Sequence, residues 1–155
     1  MLGDINGHLK EIEPSGKRVN MWCHTCHRGR PRPMTLSEEM FETYEKDGAE
    51  AMFALYGTLH EQFYGRGSYD FGQGALNQFG YEFLGKGGGK TAIDIFKLNV
   101  EMYPESGNAY DSLAEAYMSD GQNELAIEFY EKALELNPKN DGAREKLKEL
   151  RGESD

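Results

Sequence analysis

The chain has 155 residues and a mass of 17.5 kDa, room for one compact domain or two small helical units. Hydrophobic residues make up 38% and charged residues 28%, a globular rather than a disordered balance, and no apolar run is long enough to span a bilayer. With 27 acidic against 17 basic residues the formal charge is −10, which disfavours nucleic acid and anionic membranes as partners because both are bound through positive charge.

Taken from the start, Met1, Ile5 and His8 fall at i, i+4 and i+7 and predict a short helix over residues 1–11 with one buried stripe. Gly3 and Gly7 weaken that helix but let a bulky group approach its backbone. A turn at Glu13-Pro14-Ser15-Gly16 follows, and Lys17 to Trp22 lead into Cys23-His24-Thr25-Cys26-His27. Two cysteines separated by two residues, with a histidine directly after the second, form the pattern of a c-type haem attachment. On one helical turn both thiols reach the vinyl groups of one porphyrin edge, and the histidine at i+4 offers its imidazole to the iron. The expectation is one covalent haem c, with Cys23 and Cys26 as thioether anchors and His27 as proximal ligand. A thioredoxin-type dithiol would need a strand-helix setting, and a zinc site would need four ligands where the local supply is three. A disulfide across two residues would be strained and leave His27 without a role. Gly29, Pro31 and Pro33 end the motif helix and force an extended exit. Lys17, Arg18, Arg28, Arg30 and Arg32 form either a solvated cluster or partners for the haem propionates, which suit the arginine fork.

Val19-Asn20 ahead of Cys23, followed by Cys-x-x-Cys-His-Arg-Gly-x-Pro-x-Pro, resembles the haem-binding segment of the photosynthetic reaction centre cytochrome c subunit family and its soluble bacterial relatives. The resemblance covers residues 1–34. It implies a helix with an axial methionine ahead of the attachment loop, as Met-x-x-x-Ile-Asn, and Met1, Ile5 and Asn6 match that pattern. Met1 is therefore the expected sixth ligand, with His8 its main rival and His60 and His24 further ones. Reaction centre subunits carry four such motifs and this chain carries one.

From Thr35 the texture becomes continuous helix, and the fold class is expected to be all-α. Thr35-Leu36-Ser37-Glu38 has the spacing of a capping box, with Met40, Phe41 and Tyr44 behind it. Gly48 is expected to break this helix before a second one, from Ala49 to about Tyr64. Gly65, Gly67, Gly72 and Gly74 then punctuate a loop whose Tyr69 and Phe71 pack either in the core or on a haem edge.

The rest is periodic. Leu76, Phe79, Gly80, Phe83, Gly87, Ala92, Phe96 and Pro104 each stand one constant interval before Tyr110, Leu113, Ala114, Tyr117, Gly121, Ala126, Tyr130 and Pro138. That interval, a repeat length of about 34 residues, and the order of large and small side chains are those of the tetratricopeptide repeat, which residues 73–140 resemble. Asn99 departs from the pattern, standing where Ala133 sits in the second repeat, and Asp141 to Arg151 reads as a capping helix. The organisation expected is a haem-binding segment over 1–34, a helical hairpin and loop over 35–72, and two repeats plus a cap over 73–155. Because at least three units are needed for a stable stack, the hairpin is expected to supply the missing layer.

The first function expected is that of an extracytoplasmic mono-haem electron carrier, not an enzyme, whose repeats dock a redox partner or further copies of the chain. The second is an interaction adaptor in which haem staples the N-terminal segment, and the third a haem sensor or peroxidase with an open sixth site. Gly87-Gly88-Gly89-Lys90 sits at a repeat turn and lacks the full phosphate-loop spacing. Covalent haem attachment takes place outside the cytoplasm, yet Met1-Leu2-Gly3-Asp4 has neither a basic start nor an apolar stretch, so a processed form is expected.

Overall fold

The computed structural model describes residues 35–66 and 68–153; the expected N-terminal helix and the Cys23–His27 motif lie outside them. The described residues contain six helices and no strand: α1 Leu36–Phe63, α2 Gln73–Gly85, α3 Gly89–Met102, α4 Gly107–Ser119, α5 Asn123–Leu136 and α6 Asp141–Arg151.

Local chemistry sets where α1 starts and where it breaks. The Thr35 hydroxyl accepts the Glu38 amide at 3.2 Å while the Glu38 carboxylate accepts the Thr35 amide at 2.7 Å, so the expected capping box is formed. At Gly48 the backbone turns to φ 86° and ψ −177°, which interrupts the helical dihedrals and divides α1 into two arms. Only glycine takes such a conformation at low cost.

The period of the sequence reappears as geometry. Helices α2, α4 and α6 begin at Gln73, Gly107 and Asp141, and α3 and α5 begin at Gly89 and Asn123, so equivalent helices start one repeat apart. The glycine turns repeat too, with Gly87 at φ 80° and Gly121 at φ 77°. The two helices of the first repeat meet at Gly80, where a Cβ atom would stand 2.5 Å from the Phe96 ring. Nothing larger than hydrogen fits there, and the ring that fills the space is itself fully buried.

One hydrophobic cluster runs from Leu36 in α1 to Leu147 in α6, so the stack has a single continuous core. The first arm of α1 joins it through Phe41, stacked on Phe83 at 4.5 Å and edge-on to Phe79 at 5.5 Å. Tyr44 adds an edge contact to Phe83 at 4.7 Å. The first arm of α1 thus packs against α2.

The loop between α1 and α2 packs inward. Phe71 is buried, the Tyr103 hydroxyl donates to its carbonyl at 2.7 Å, and the Tyr69 hydroxyl donates to the buried Glu39 carboxylate. Phe71 belongs to the core, and Tyr69, partly buried, packs against it. Asn99, the departure from the repeat pattern, is buried and donates to the Gln73 carbonyl at 3.2 Å, which ties the end of α3 to the start of α2. An alanine at this place, as at Ala133, makes no such tie.

Candidate docking face

The first helices of the successive hairpins, α2, α4 and α6, present one shared face. On it stand two rows of side chains at equivalent repeat positions: Asn77, Asp111 and Glu145, and one turn further on Tyr81, Glu115 and Glu149. One repeat separates neighbours along a row and one helical turn separates the rows, which places all six on one side of their helices.

The rows are knit together. Tyr81 donates its hydroxyl to Glu115 Oε2 at 2.6 Å and lies 3.2 Å from Ser112 Oγ, bridging α2 to α4. Glu149 pairs with Lys146 at 2.9 Å on the exposed rim of α6. Behind them, on α5, Tyr130 is 2% exposed. Burial first, and then the charges of Glu115 and Asp111, hold its hydroxyl proton well above the ordinary phenol range.

Asp111 is the strained carboxylate of the face. Burial first, and then the neighbouring Glu115 charge, raise its pKa above the ordinary carboxylate value, with the Asn140 side chain opposing them. A carboxyl whose pKa is higher folded than unfolded stabilises the fold below its unfolded pKa, and that contribution is lost as pH rises through the folded pKa. Asp111→Asn is therefore expected to raise the melting temperature at pH 7, with the gain vanishing below about pH 4, near the unfolded aspartate value. Thermal unfolding followed by circular dichroism at the two pH values reads this out, and an equal gain at both would refute it.

Of the residues expected from sequence to hold haem, Met1, His8, Cys23, His24, Cys26 and His27 lie outside the described residues. His60 lies within them, half-buried in an aromatic group: 4.5 Å from the Tyr64 ring, 5.1 Å from Phe71 and 5.9 Å from Tyr56 between centroids. Its Nε2 is buried without a hydrogen-bond partner among the described residues. Among the described residues no group of three or more His, Cys, Asp or Glu side chains is placed to hold a metal ion, and no helix is long and apolar enough to cross a membrane. The two rows of the docking face were not singled out from sequence, although the signal was the same repeat spacing, applied to polar positions instead of apolar ones.

The tetratricopeptide repeat family model matches residues 107–140, the span of α4 and α5 with the turn after them. Two solved structures share the architecture. One is the first repeat domain of Spaghetti (RPAP3) bound to the HSP90 peptide SRMEEVD, at 18% identity and TM-score 0.52. The other is the first repeat domain of human RPAP3, at 17% identity and TM-score 0.53. In each case 76% of this chain aligns with 88% of the other. No curated protein matches the chain in sequence.

These matches correct the first functional expectation. They are matches to tetratricopeptide repeat architecture and not to a single-electron carrier, which leaves the reading placed second from sequence the better backed. The physical reason is one of extent: five residues at 23–27 suggested the chemistry, whereas the helical body spans the chain from Thr35 onward. From Thr35 onward the chain is an all-α stack of tetratricopeptide architecture, with residues 107–140 as the repeat that the family model matches.

Proposed function

We propose that the chain is an interaction adaptor whose repeat stack docks a protein segment on the face of α2, α4 and α6. The observation that carries this reading is the continuity of that face: equivalent positions in three successive helices are polar and at least partly exposed, and hydrogen bonds from Tyr81 join α2 to α4. Stacked helical pairs present such surfaces to partners. A relative of the same fold carries a peptide, which supports the same use here. A photoreactive amino acid at Asn108, on the first turn of α4, is expected to cross-link to a protein partner in cells, whereas the same group at Glu128 on α5 is not. Adducts equal at both positions, or at neither, would remove the reading.

Residues 1–34 are proposed to carry one covalent haem c, attached to Cys23 and Cys26 with His27 as proximal ligand and Met1 as sixth ligand. The donor set fits the group: two thiols three residues apart and an adjacent imidazole match two vinyls and one iron. When bound, the group supplies a covalent cross-link and a broad apolar surface, and its attachment implies an extracytoplasmic location. Cys23→Ser with Cys26→Ser is expected to abolish both the pyridine haemochrome band and the added macrocycle mass, while partner cross-linking at Asn108 survives oxidation and reduction unchanged. A wild-type chain of unmodified mass would eliminate the haem, and a redox-dependent adduct would eliminate the adaptor role.

A further inference from the structure

The second arm of α1 ends in an aromatic stripe that the described residues leave incomplete. Tyr56, His60 and Tyr64 follow one another at four-residue intervals, so they share one side of the helix end. Phe71 stands beside them, 5.8 Å from the Tyr56 ring and 5.1 Å from His60 between centroids. Tyr56 is 4% exposed, yet its hydroxyl has no hydrogen-bond partner among the described residues, and neither has the buried Nε2 of His60. Buried polar groups are hydrogen-bonded as a rule, so two orphans on one stripe call for a partner. At the outer end of the stripe Tyr64 is 61% exposed, although its ring packs on His60 at 4.5 Å. It is the most open large apolar side chain among the described residues.

Residues 1–34 join the described body at this same end. Glu39, in the first turn of α1, accepts a hydrogen bond from the Tyr69 hydroxyl. The Tyr69 ring in turn lies 5.5 Å from Phe63, the last residue of α1, and 5.9 Å from Phe71. The start of α1 is thereby held beside its finish, and the chain ahead of Thr35 leaves next to the aromatic stripe. We propose that this stripe docks residues 1–34 of the same chain. A segment tethered beside the stripe has a far higher effective concentration there than a second copy or a foreign peptide. It brings apolar side chains, Met1, Ile5 and Trp22 among them, to cover Tyr64. Its backbone carbonyls and amides supply the acceptors and donors that the Tyr56 phenol and the His60 imidazole lack. This interface goes beyond both the haem and the face of α2, α4 and α6, and depends on neither.

The test places photoreactive benzoylphenylalanine at position 64 of the full chain, diluted so that chains rarely meet, and maps the adducts by mass. Adducts within one chain, from position 64 to residues 1–34, are expected. The same group at Leu136, 37% exposed at the end of α5, is expected to give none to that segment. Trypsin cleavage after Lys10, Lys17 and Arg18 supplies a second readout, because it follows the population in which the segment is undocked. Tyr64→Ser is expected to speed this cleavage about fivefold or more, and Leu136→Ser to change it by less than about twofold. Both side chains are exposed, so neither substitution empties the core. Tyr56→Phe keeps the ring and removes only the hydroxyl, and is expected to speed cleavage a few-fold through the lost hydrogen bond. Were that hydroxyl served by a buried water instead, Tyr56→Phe would leave cleavage unchanged, and that result overturns the proposal. Adducts confined to a second chain or to the helical stack, or equal cleavage of Tyr64→Ser and the wild-type chain, overturn it as well.

Discussion

Phe96→Ala is expected to lower the unfolding free energy by about 3–5 kcal/mol, the range for deleting a fully buried aromatic ring. Phe96 has no solvent exposure, fills the space against Gly80 and meets Tyr81 edge-on at 5.1 Å. The void would open at the crossing of α2 and α3, where the backbones are already close, so little collapse can fill it. Because Tyr81 holds Glu115 on the docking face, the variant is also expected to weaken partner cross-linking at Asn108 under conditions where the chain remains folded. Urea unfolding measures the first effect. A loss below about 1 kcal/mol would mean that the crossing is not tightly packed, since even small cavities cost about that much.

Gly80→Val is expected to be comparably damaging for the opposite reason. A Cβ at residue 80 stands 2.5 Å from one Phe96 ring atom and 2.6 Å from another, and branching adds two further carbons. Overpacking of this kind costs about 1–3 kcal/mol and occasionally more, and the steepness of the contact places Gly80→Val at or above the upper end. The two sites share one contact, so their effects should not add. With Phe96 reduced to alanine, Gly80→Ala should cost less than it does beside the intact ring. Additive losses in that four-member cycle would show that residue 80 is limited by something other than Phe96.

Much of the body of the fold is legible in the order of residues. The repeat spacing that puts Phe96 in line with Tyr130 and Gly87 in line with Gly121 becomes a spacing of helix starts, with Gly89 answered by Asn123. The capping box at Thr35, the break at Gly48 and the terminal helix over Asp141–Arg151 all form where the residues placed them. Each depends on neighbours along the chain: a hydroxyl reaching an amide three residues away, or a glycine free to take positive φ.

The docking face was not legible to the same degree. Its rows share the period, but apolar positions announce burial, whereas a carboxylate recurring once per repeat is indistinguishable from a solvated surface until the helices are stacked. Function was misjudged for a related reason. A five-residue motif with specific chemistry outweighed a long helical body whose chemistry is distributed, and the first expectation followed the motif.

Composition, period, caps and turns were thus settled by sequence alone, because the forces behind them act within one helical turn or one hairpin. Only the tertiary structure decided that Tyr81 would reach Glu115 and that Asn99 would tie α3 to α2. Those relations depend on how closely and at what angle the helices pack, which is set by the fit of side chains such as Phe96 against Gly80 and not by any one segment.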